Sequence, residues 1–396
     1  MNITSFDVTR ARKDTEGCER VLHFNNAGAA LMPRQVVETV VNHLKLEAAT
    51  GGYEAAEVSD EKIQGVYESL GRLMDCGVDE IAVVENATRA WDMAFYGIPF
   101  RSGDRILTSE AEYASNYIAF LQVSRRTGAV IEVIPNDSYG QVSVDALRDM
   151  LDEHVKLIAV NHVPTNGGLV NPAADIGKAA REAGVLYLLD ACQSVGQIPI
   201  NVKKIVCDML SGTGRKFLRG PRGTGFLYVR REVLNRLEPP FLDLHAACWT
   251  ASEQYEIRSD ARRFENWETN VAGKLGLGAA VDYALSWGIE NIWNRVSALA
   301  QFFRDSLAGI PGTVIHDLGR TKCGIVSFTI KGKSSREIKS LLSKKKINVS
   351  VSPIEYTRLD MEKRRIESMV RASVHYYNTE EEVLRFTEEI KRLSTA

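Results

Sequence analysis

A carboxylate and a lysine each follow an apolar segment in the middle of the chain. Asp190 ends the segment GVLYLLD, and Lys216 lies in SGTGRKFLRGPRGTGFLYV, between the apolar CDML and the strand-like GFLYV. A lysine amine can form a Schiff base with a carbonyl compound and then move protons at the attached carbon. A carboxylate can keep a heterocyclic nitrogen protonated. Taken singly, Asp190 could be a helix cap or loop residue, and Lys216 a solvated charge in a glycine-rich loop.

The combination of these features predicts a cofactor. A strand that ends in aspartate, a strand followed by Ser-Gly-Thr-Gly-Arg-Lys, and a glycine-rich return strand are the parts that pyridoxal 5'-phosphate (PLP) chemistry requires. Hydroxyl and backbone N–H groups near a helix start would hold the phosphate. We therefore predict Lys216 and Asp190 as residues that both bind PLP and take part in catalysis.

Short apolar segments alternate with helical patterns between residues 22 and 265. The apolar segments are 81–84, 105–109, 130–134, 156–163 and 185–190. Strands that are apolar at nearly every position are buried on both faces, and their alternation with helices predicts parallel crossovers. We expect an α/β fold in which a large PLP-binding domain, residues 22–265, has a mostly parallel sheet flanked by helices. In such sheets, ligands bind beyond the carboxyl ends of the strands.

The rest of the chain has a different pattern. Helical patterns cover 273–288, 291–308 and 379–392, and strand patterns occur near 324–330 and 348–352. Short strands mixed with helices predict a smaller α+β C-terminal domain, residues 266–396, which we expect to include the N-terminal segment 1–21.

Composition excludes several classes of partner. The 396 residues carry 49 basic and 51 acidic side chains, a net charge of −2, so we expect no nucleic-acid binding. No stretch approaches the roughly 18 apolar residues of a membrane span. The N-terminus lacks the apolar core of a signal peptide, and the six cysteines include no CxxC pair, which favours reduced thiols and a cytoplasmic protein. No His/Cys/Asp/Glu cluster has metal-ligand spacing, so no metal is predicted.

Six motifs, in this order, resemble those of one known family. They are ENATRAW, SEAEYASN, NHVPTNGGLVNP, LLDACQSVGQ, SGTGRKF and RASVHYYNTEEE. Together they resemble the fold-type I PLP enzymes of the class V aminotransferase family, on the cysteine-desulfurase-like branch. The resemblance extends from FNNAGAALMP at 24–33 to VRASVHYYNTEEEV at 370–383.

The resemblance implies a role for ten residues and a homodimer with shared active sites. Lys216 would hold PLP as a Schiff base, Asp190 would hold its pyridine nitrogen, and Arg371 would pair with the carboxylate of an amino-acid substrate. The other implied cofactor contacts are Tyr113 stacking on the ring, Thr165 and Gln193 near its phenolic oxygen, Thr88, Ser211 and Thr213 at the phosphate, and Thr269 reaching the phosphate across the dimer interface.

The sequence departs from the cysteine desulfurases at two places. Those enzymes need a nucleophilic cysteine shortly before the carboxylate-binding arginine, and residues 347–371 contain none. Cys323 opens an apolar strand, and nothing in the sequence marks Cys248 as reactive. The loop SGTGRK is also longer than the SGHK of desulfurases. This loop, with GPRGTGFLYV after it and HVPTNGGLVNP before it, resembles the C–S lyases that include the hercynylcysteine sulfoxide lyases.

The predicted reaction is therefore β-elimination from a cysteine-derived amino acid, either an S-conjugate or a sulfoxide. The products would be pyruvate, ammonia and a sulfur compound. Transamination and epimerisation remain alternatives, because they start from the same proton abstraction. Tyr356 and Arg358 could shape the leaving-group pocket or be ordinary surface residues. A non-catalytic PLP-binding regulator is disfavoured, because both Lys216 and Asp190 are present.

Overall fold

The computed structural model describes residues 6–395, and its strands form two principal sheets and two short pairs. The strands are β1 (Leu22–His23), β2 (Ile81–Val84), β3 (Arg105–Ser109), β4 (Val130–Ile134), β5 (Val155–Asn161), β6 (Leu186–Asp190), β7 (Met209–Thr213), β8 (Gly225–Val229), β9 (Ala247–Ala251), β10 (Gln254–Ile257), β11 (Thr313–Ile315), β12 (Ile325–Ile330), β13 (Ile347–Asn348), β14 (Ser350–Pro353) and β15 (Ser368–Ser373).

Helices cover both principal sheets. They are α1 (Val8–Lys13), α2 (Arg34–Thr50), α3 (Gly52–Val58), α4 (Asp60–Met74), α5 (Ala87–Tyr96), α6 (Ala114–Thr127), α7 (Val144–Met150), α8 (Ala173–Glu182), α9 (Val202–Ile205), α10 (Val271–Trp287), α11 (Ile289–Ala308), α12 (Ser335–Lys344), α13 (Arg358–Lys363) and α14 (Glu380–Thr395).

The larger sheet has seven strands in the order β2-β8-β7-β6-β5-β3-β4. The neighbours from β7 to β4 are parallel, and β8 runs antiparallel to both β2 and β7. Alternate residues of the central strands enter different cores: Leu186 and Leu188 pack with α5 and α6, whereas Tyr187 and Leu189 pack with α4 and α8. Burial on both faces explains the unbroken apolar segments, and the predicted α/β fold is confirmed.

The second sheet is antiparallel, in the order β11-β12-β15-β14. The N-terminal strand β1 pairs in parallel with β13, and Asn25 forms a bridge with Ser373. Helix α10 packs on α2 and α4 of the larger sheet's helical layer. The division into domains 22–265 and 266–396 with 1–21 stays a prediction. Within residues 6–395, no helix combines the length and the apolar character needed to cross a bilayer.

A buried arginine fixes the chain just after Lys216. Arg219 is 1% exposed and has a left-handed φ of 63°. Its Nε donates to the Leu31 carbonyl at 2.8 Å, Nη1 donates to the Tyr376 hydroxyl at 2.7 Å, and Nη2 donates to the Thr15 hydroxyl. Within the described chain no carboxylate lies within 4.0 Å of it. The planar guanidinium thus holds together three distant segments: the N-terminal segment with Thr15, the loop with Leu31 and the segment HYYN with Tyr376.

We expect Arg219→Lys to lower the free energy of unfolding by about 2 kcal/mol, because an ammonium cannot reproduce three donors in a fork. Thermal melting measures the loss. The matched control is Arg222→Lys, an exposed arginine of the same loop, which should leave Tm unchanged. Equal Tm values for the two variants would contradict the role of Arg219.

Candidate active site

Lys216 lies in the loop that follows β7, at the carboxyl edge of the larger sheet. Two backbone hydrogen bonds hold this loop in place. The Gly214 N–H donates to the Thr224 carbonyl at 3.1 Å, and the Arg219 N–H donates to the Lys216 carbonyl at 2.9 Å. His375 Nε2 contacts the Phe217 carbonyl at 2.8 Å. Lys216 is half-buried, and burial lowers the pKa of its amine to about 8. A lysine with this pKa is readily available as a nucleophile or base near neutral pH.

Asp190 ends β6, the strand beside β7, and is 7% exposed. Its Oδ1 accepts the Cys192 backbone N–H at 2.9 Å, and its Oδ2 accepts from Asn116 Nδ2 at 3.1 Å. These two donors fix the plane of the carboxylate. Because no described lysine, arginine or histidine nitrogen lies within 4.0 Å of it, the carboxylate remains available for a cationic ligand atom.

Arg371 reaches the same cavity from β15 of the second sheet. It is 7% exposed. Its Nη1 donates to the carbonyl and hydroxyl oxygens of Thr165 at 2.7 and 3.0 Å, and its Nε donates to Ser350 Oγ at 3.1 Å. Burial and then the nearby Arg215 lower the pKa of Arg371 to about 10. This guanidinium has only neutral partners in residues 6–395, so an anionic ligand would complete its environment.

Three further predicted residues line this cavity. Tyr113 precedes α6 and is half-buried. Gln193 Nε2 donates to the Ala27 carbonyl at 3.2 Å and contacts Thr165 Oγ1 at 3.4 Å. The buried Gln193 Oε1 has no partner among the described residues. Such a polar atom calls for a ligand donor or water.

The start of α5 forms one wall of the cavity. Asn86 caps this ten-residue helix by accepting the Arg89 N–H at 2.9 Å, and Ala87 and the exposed Thr88 follow in the first turn. Helix N-termini bind phosphate groups through free N–H groups. The strand β8 passes close behind, since a Cβ on Gly225 would lie 2.4 Å from the Asn86 carbonyl carbon. The glycine-rich return strand therefore makes room for this turn.

Eight of the ten predicted residues line one cavity of about 290 Å³. They are Lys216, Asp190, Arg371, Tyr113, Thr165, Gln193, Thr88 and Thr213. Ser211 is not among the lining residues; it lies on β7 with a buried hydroxyl that has no partner within residues 6–395. Thr269 lines a different cavity with Lys274 and Thr224, so its contact across a dimer interface stays a prediction.

The cavity also includes residues beyond these eight. Tyr356, one of the two loop residues considered for a leaving-group pocket, lines the cavity. The other, Arg358, is exposed and pairs with Glu362 at 2.7 Å. The residues without any prediction are Ala27, Gly28, Asn86, Ala87, Asn116, Asn161, Val163, Cys192 and Arg215. Asn116 belongs to the motif SEAEYASN and Arg215 to SGTGRKF, so a polar side chain close in sequence to Tyr113 or Lys216 is the signal that identifies them.

The cavity fits PLP. A helix start suits its phosphate, an acceptor-only carboxylate suits a protonated ring nitrogen, a lysine amine suits its aldehyde, and Tyr113 offers a ring for stacking. Among residues 6–395, no group of three or more His, Cys, Asp or Glu side chains is arranged to hold a metal ion.

Comparison with known proteins agrees with this geometry. A model of the family "Aminotransferase class-V" matches residues 22–386. The chain belongs to the class V aminotransferase family. A probable cysteine desulfurase of Xylella fastidiosa is 31% identical over 399 residues, which cover 97% of this chain and 94% of that protein. The predicted resemblance to class V PLP enzymes of the cysteine-desulfurase-like branch is thus confirmed.

Solved structures share the fold of this class V chain. The apo cysteine desulfurase of Thermococcus onnurineus NA1 superposes with a TM-score of 0.92 at 26% identity and covers 98% of both chains. The cystine C–S lyase C-DES, in complex with cysteine persulfide, superposes with a TM-score of 0.86 at 21% identity, covering 95% of this chain and 99% of that one. The fold therefore occurs in both desulfurases and C–S lyases.

The lowered pKa of Lys216 predicts an unusual pH dependence of its reactivity. In ligand-free protein, trace acetylation of Lys216 by acetic anhydride should rise through pH 8 and then level off, because only the unprotonated amine reacts. Lys203 is the control: it is exposed, and its hydrogen bond to Asp75 raises its pKa. Peptide mass spectrometry gives both curves. A midpoint for Lys216 at or above that for Lys203 would contradict the burial argument.

Proposed function

We propose that this class V enzyme is a PLP-dependent C–S lyase. It would remove the sulfur group of a cysteine S-conjugate or cysteine sulfoxide by β-elimination, giving pyruvate, ammonia and a sulfur product. The observation that carries the proposal is the convergence of Lys216, Asp190 and Arg371 on one cavity, next to a segment 347–371 without cysteine.

In this proposal these residues divide substrate binding, cofactor binding and proton transfer among them. Arg371 binds the α-carboxylate of the substrate, for which its planar fork is suited. Lys216 and the start of α5 would hold the two ends of the cofactor, and Asp190 would hold its ring nitrogen. When bound, PLP withdraws electrons from the substrate α-carbon and so makes the proton there acidic.

The amino group of the substrate would first replace Lys216 at the cofactor, which frees the lysine amine. Lys216 Nζ would then take the α-proton, because the lowered pKa of the free amine suits a general base near neutral pH. The electron pair left on Cα forms a Cα–Cβ double bond, and the Cβ–S bond breaks with its pair remaining on sulfur. The released 2-aminoacrylate reacts with water to give pyruvate and ammonia. A sulfenate or a stabilised thiolate leaves without any help from a protein thiol.

The cysteines of the chain support elimination over sulfur transfer to the enzyme. Cys192 lines the cavity, but burial and then the charge of Asp190 raise the pKa of its thiol strongly. A thiol that stays protonated is a poor nucleophile. Cys323 is fully buried, and burial raises its pKa to about 11. Cys248 is exposed on β9 and does not line this cavity.

The decisive test incubates purified enzyme with L-cysteine, S-substituted cysteines and their sulfoxides and measures every amino-acid and keto-acid product. We expect pyruvate and ammonia in equal amounts over many turnovers. Alanine from L-cysteine would instead show a desulfurase. A keto acid that retains the sulfur group, with accumulation of the aminated cofactor, would show an aminotransferase, and a racemised substrate would show an epimerase.

We also propose a homodimer in which segment 241–269 lies at the interface. Large apolar side chains are concentrated and exposed there, with exposed fractions of 57% for Phe241, 74% for Leu244, 72% for Trp249, 55% for Tyr255 and 57% for Trp267. Such a patch is typical of a protein interface. Thr269 follows it directly, which is consistent with a contact to the partner's site.

A cytoplasmic location stays a prediction, supported by six unpaired cysteines.

The variant Leu244→Glu/Trp249→Glu should be monomeric in sedimentation equilibrium, because two charges would be buried in an apolar interface. The control is Leu384→Glu, which changes an exposed residue of α14 and should leave the mass unchanged. A dimer formed by the double variant would exclude this surface as the interface.

A further inference from the structure

Glu112 is a buried carboxylate that has no part in the mechanism above. It precedes Tyr113 in the motif SEAEYASN, in the turn between β3 and α6, and is 4% exposed. In the part of the chain that the structure describes, no lysine, arginine or histidine nitrogen lies within 4.0 Å of it. A buried ionisable group without a countercharge is costly, so its position calls for an explanation.

Four donors surround the Glu112 carboxylate. Its Oε1 accepts from Asn116 Nδ2 at 2.8 Å, from Asn161 Nδ2 at 2.7 Å and from the Tyr113 backbone N–H at 2.9 Å. Its Oε2 accepts from the Thr108 hydroxyl at 3.0 Å. An environment of donors stabilises the ionised form, which only accepts hydrogen bonds. These donors come from three elements that meet at the site: β3, β5 and the start of α6.

Asn116 connects Glu112 to Asp190. The two hydrogens of its Nδ2 go to different carboxylates, Glu112 Oε1 at 2.8 Å and Asp190 Oδ2 at 3.1 Å. Turning the amide over would place its oxygen against both carboxylates, so they determine its orientation. The other Asp190 oxygen is held by the Cys192 N–H. Glu112 thereby fixes one of the two protein contacts that orient Asp190.

Glu112 also interacts with Asp190 through its charge. Burial, and then the charge of Asp190, raise the pKa of Glu112 to about 8. Because these interactions take place away from water, they are weakly screened. In the protein without a ligand, the two carboxylates therefore disfavour each other's charge, and Glu112 takes up a proton near neutral pH. A cation placed against Asp190 offsets this repulsion, lowers the pKa of Glu112 and is then stabilised by two carboxylates, of which only one can touch it.

We propose that Glu112 is a positioning residue for the PLP ring. Through Asn116 it orients Asp190 and reinforces its negative potential at the ring nitrogen, and through the Tyr113 N–H it fixes the position from which the stacking ring extends. The proposal rests on the proposed function in one respect: it requires that PLP is bound in this cavity.

Glu112→Gln removes the negative charge of this side chain but keeps its size and its hydrogen bonds. The amide oxygen can replace Oε1 and keep its three N–H donors, and the amide nitrogen can donate to Thr108, whose hydroxyl then accepts. All four hydrogen bonds are retained while one negative charge is lost. The matched control is Glu110→Gln, two residues earlier, which removes a carboxylate that contacts Asn136 and Lys363 outside the cavity.

The readout is the ¹⁵N chemical shift of the ring nitrogen in holoenzyme loaded with ring-labelled PLP, followed from pH 6 to 10. Removing a nearby anion disfavours the protonated nitrogen, so its pKa must fall. We expect Glu112→Gln to lose the ring proton about one pH unit earlier than the wild type. Glu110→Gln should match the wild type. Equal titrations for Glu112→Gln and wild type would overturn the proposal.

Asn116→Ala provides a second, independent test. If Glu112 acts through Asn116, this variant also loses the ring proton earlier, and the double variant shows less than the sum of the two shifts. Asn116→Ala keeps the proposal testable if Glu112→Gln proves less stable than the wild type. Strictly additive shifts in the double variant, or no shift in Asn116→Ala, would overturn the proposed link from Glu112 through Asn116 to Asp190. A wild-type protein without bound PLP would instead refute the proposed function.

Discussion

Parallel strands that end at one edge of a sheet place their last residues side by side, and the whole site depends on this constraint. Strands β5, β6 and β7 are adjacent, with Asn161 opposite Asp190 and Asp190 opposite Ser211. Three residues beyond the end of β7 the chain reaches Lys216. The lysine and the carboxylate therefore face one cavity without any long-range loop having to bring them together.

The second sheet and the helices complete this edge. Arg371 enters from β15, and Arg219 holds the lysine loop against the N-terminal segment. Both guanidiniums are buried on neutral partners, which leaves the charge of Arg371 for a ligand. Asp190, which Glu112 supports through Asn116, places a carboxylate in the same cavity from the larger sheet. The cavity thus offers a guanidinium suited to a carboxylate and a carboxylate suited to a ring cation.

Periodicity and motifs predicted the parts that lie at strand ends, such as Asp190, and the helix start that carries Thr88. They failed where contacts join distant segments. Asn116 and Asn161 are 45 positions apart, and only the pairing of β3 with β5 brings them to one carboxylate. Apolar residues at helical spacing over 57–74 predict one helix there, whereas α3 ends at Val58 and α4 begins at Asp60. Strand β1 has two residues, too few for an alternating pattern.

Borohydride reduction of the holoenzyme tests most directly whether Lys216 carries the cofactor in the cavity that Asp190 also lines. Reduction converts a lysine–PLP linkage into a stable amine that survives proteolysis, so mass spectrometry of the peptides locates it. The account predicts a phosphopyridoxyl group on Lys216 and a Lys216→Ala variant without any such adduct. An adduct on another lysine, such as the buried Lys274, or no adduct in the wild type, would contradict it.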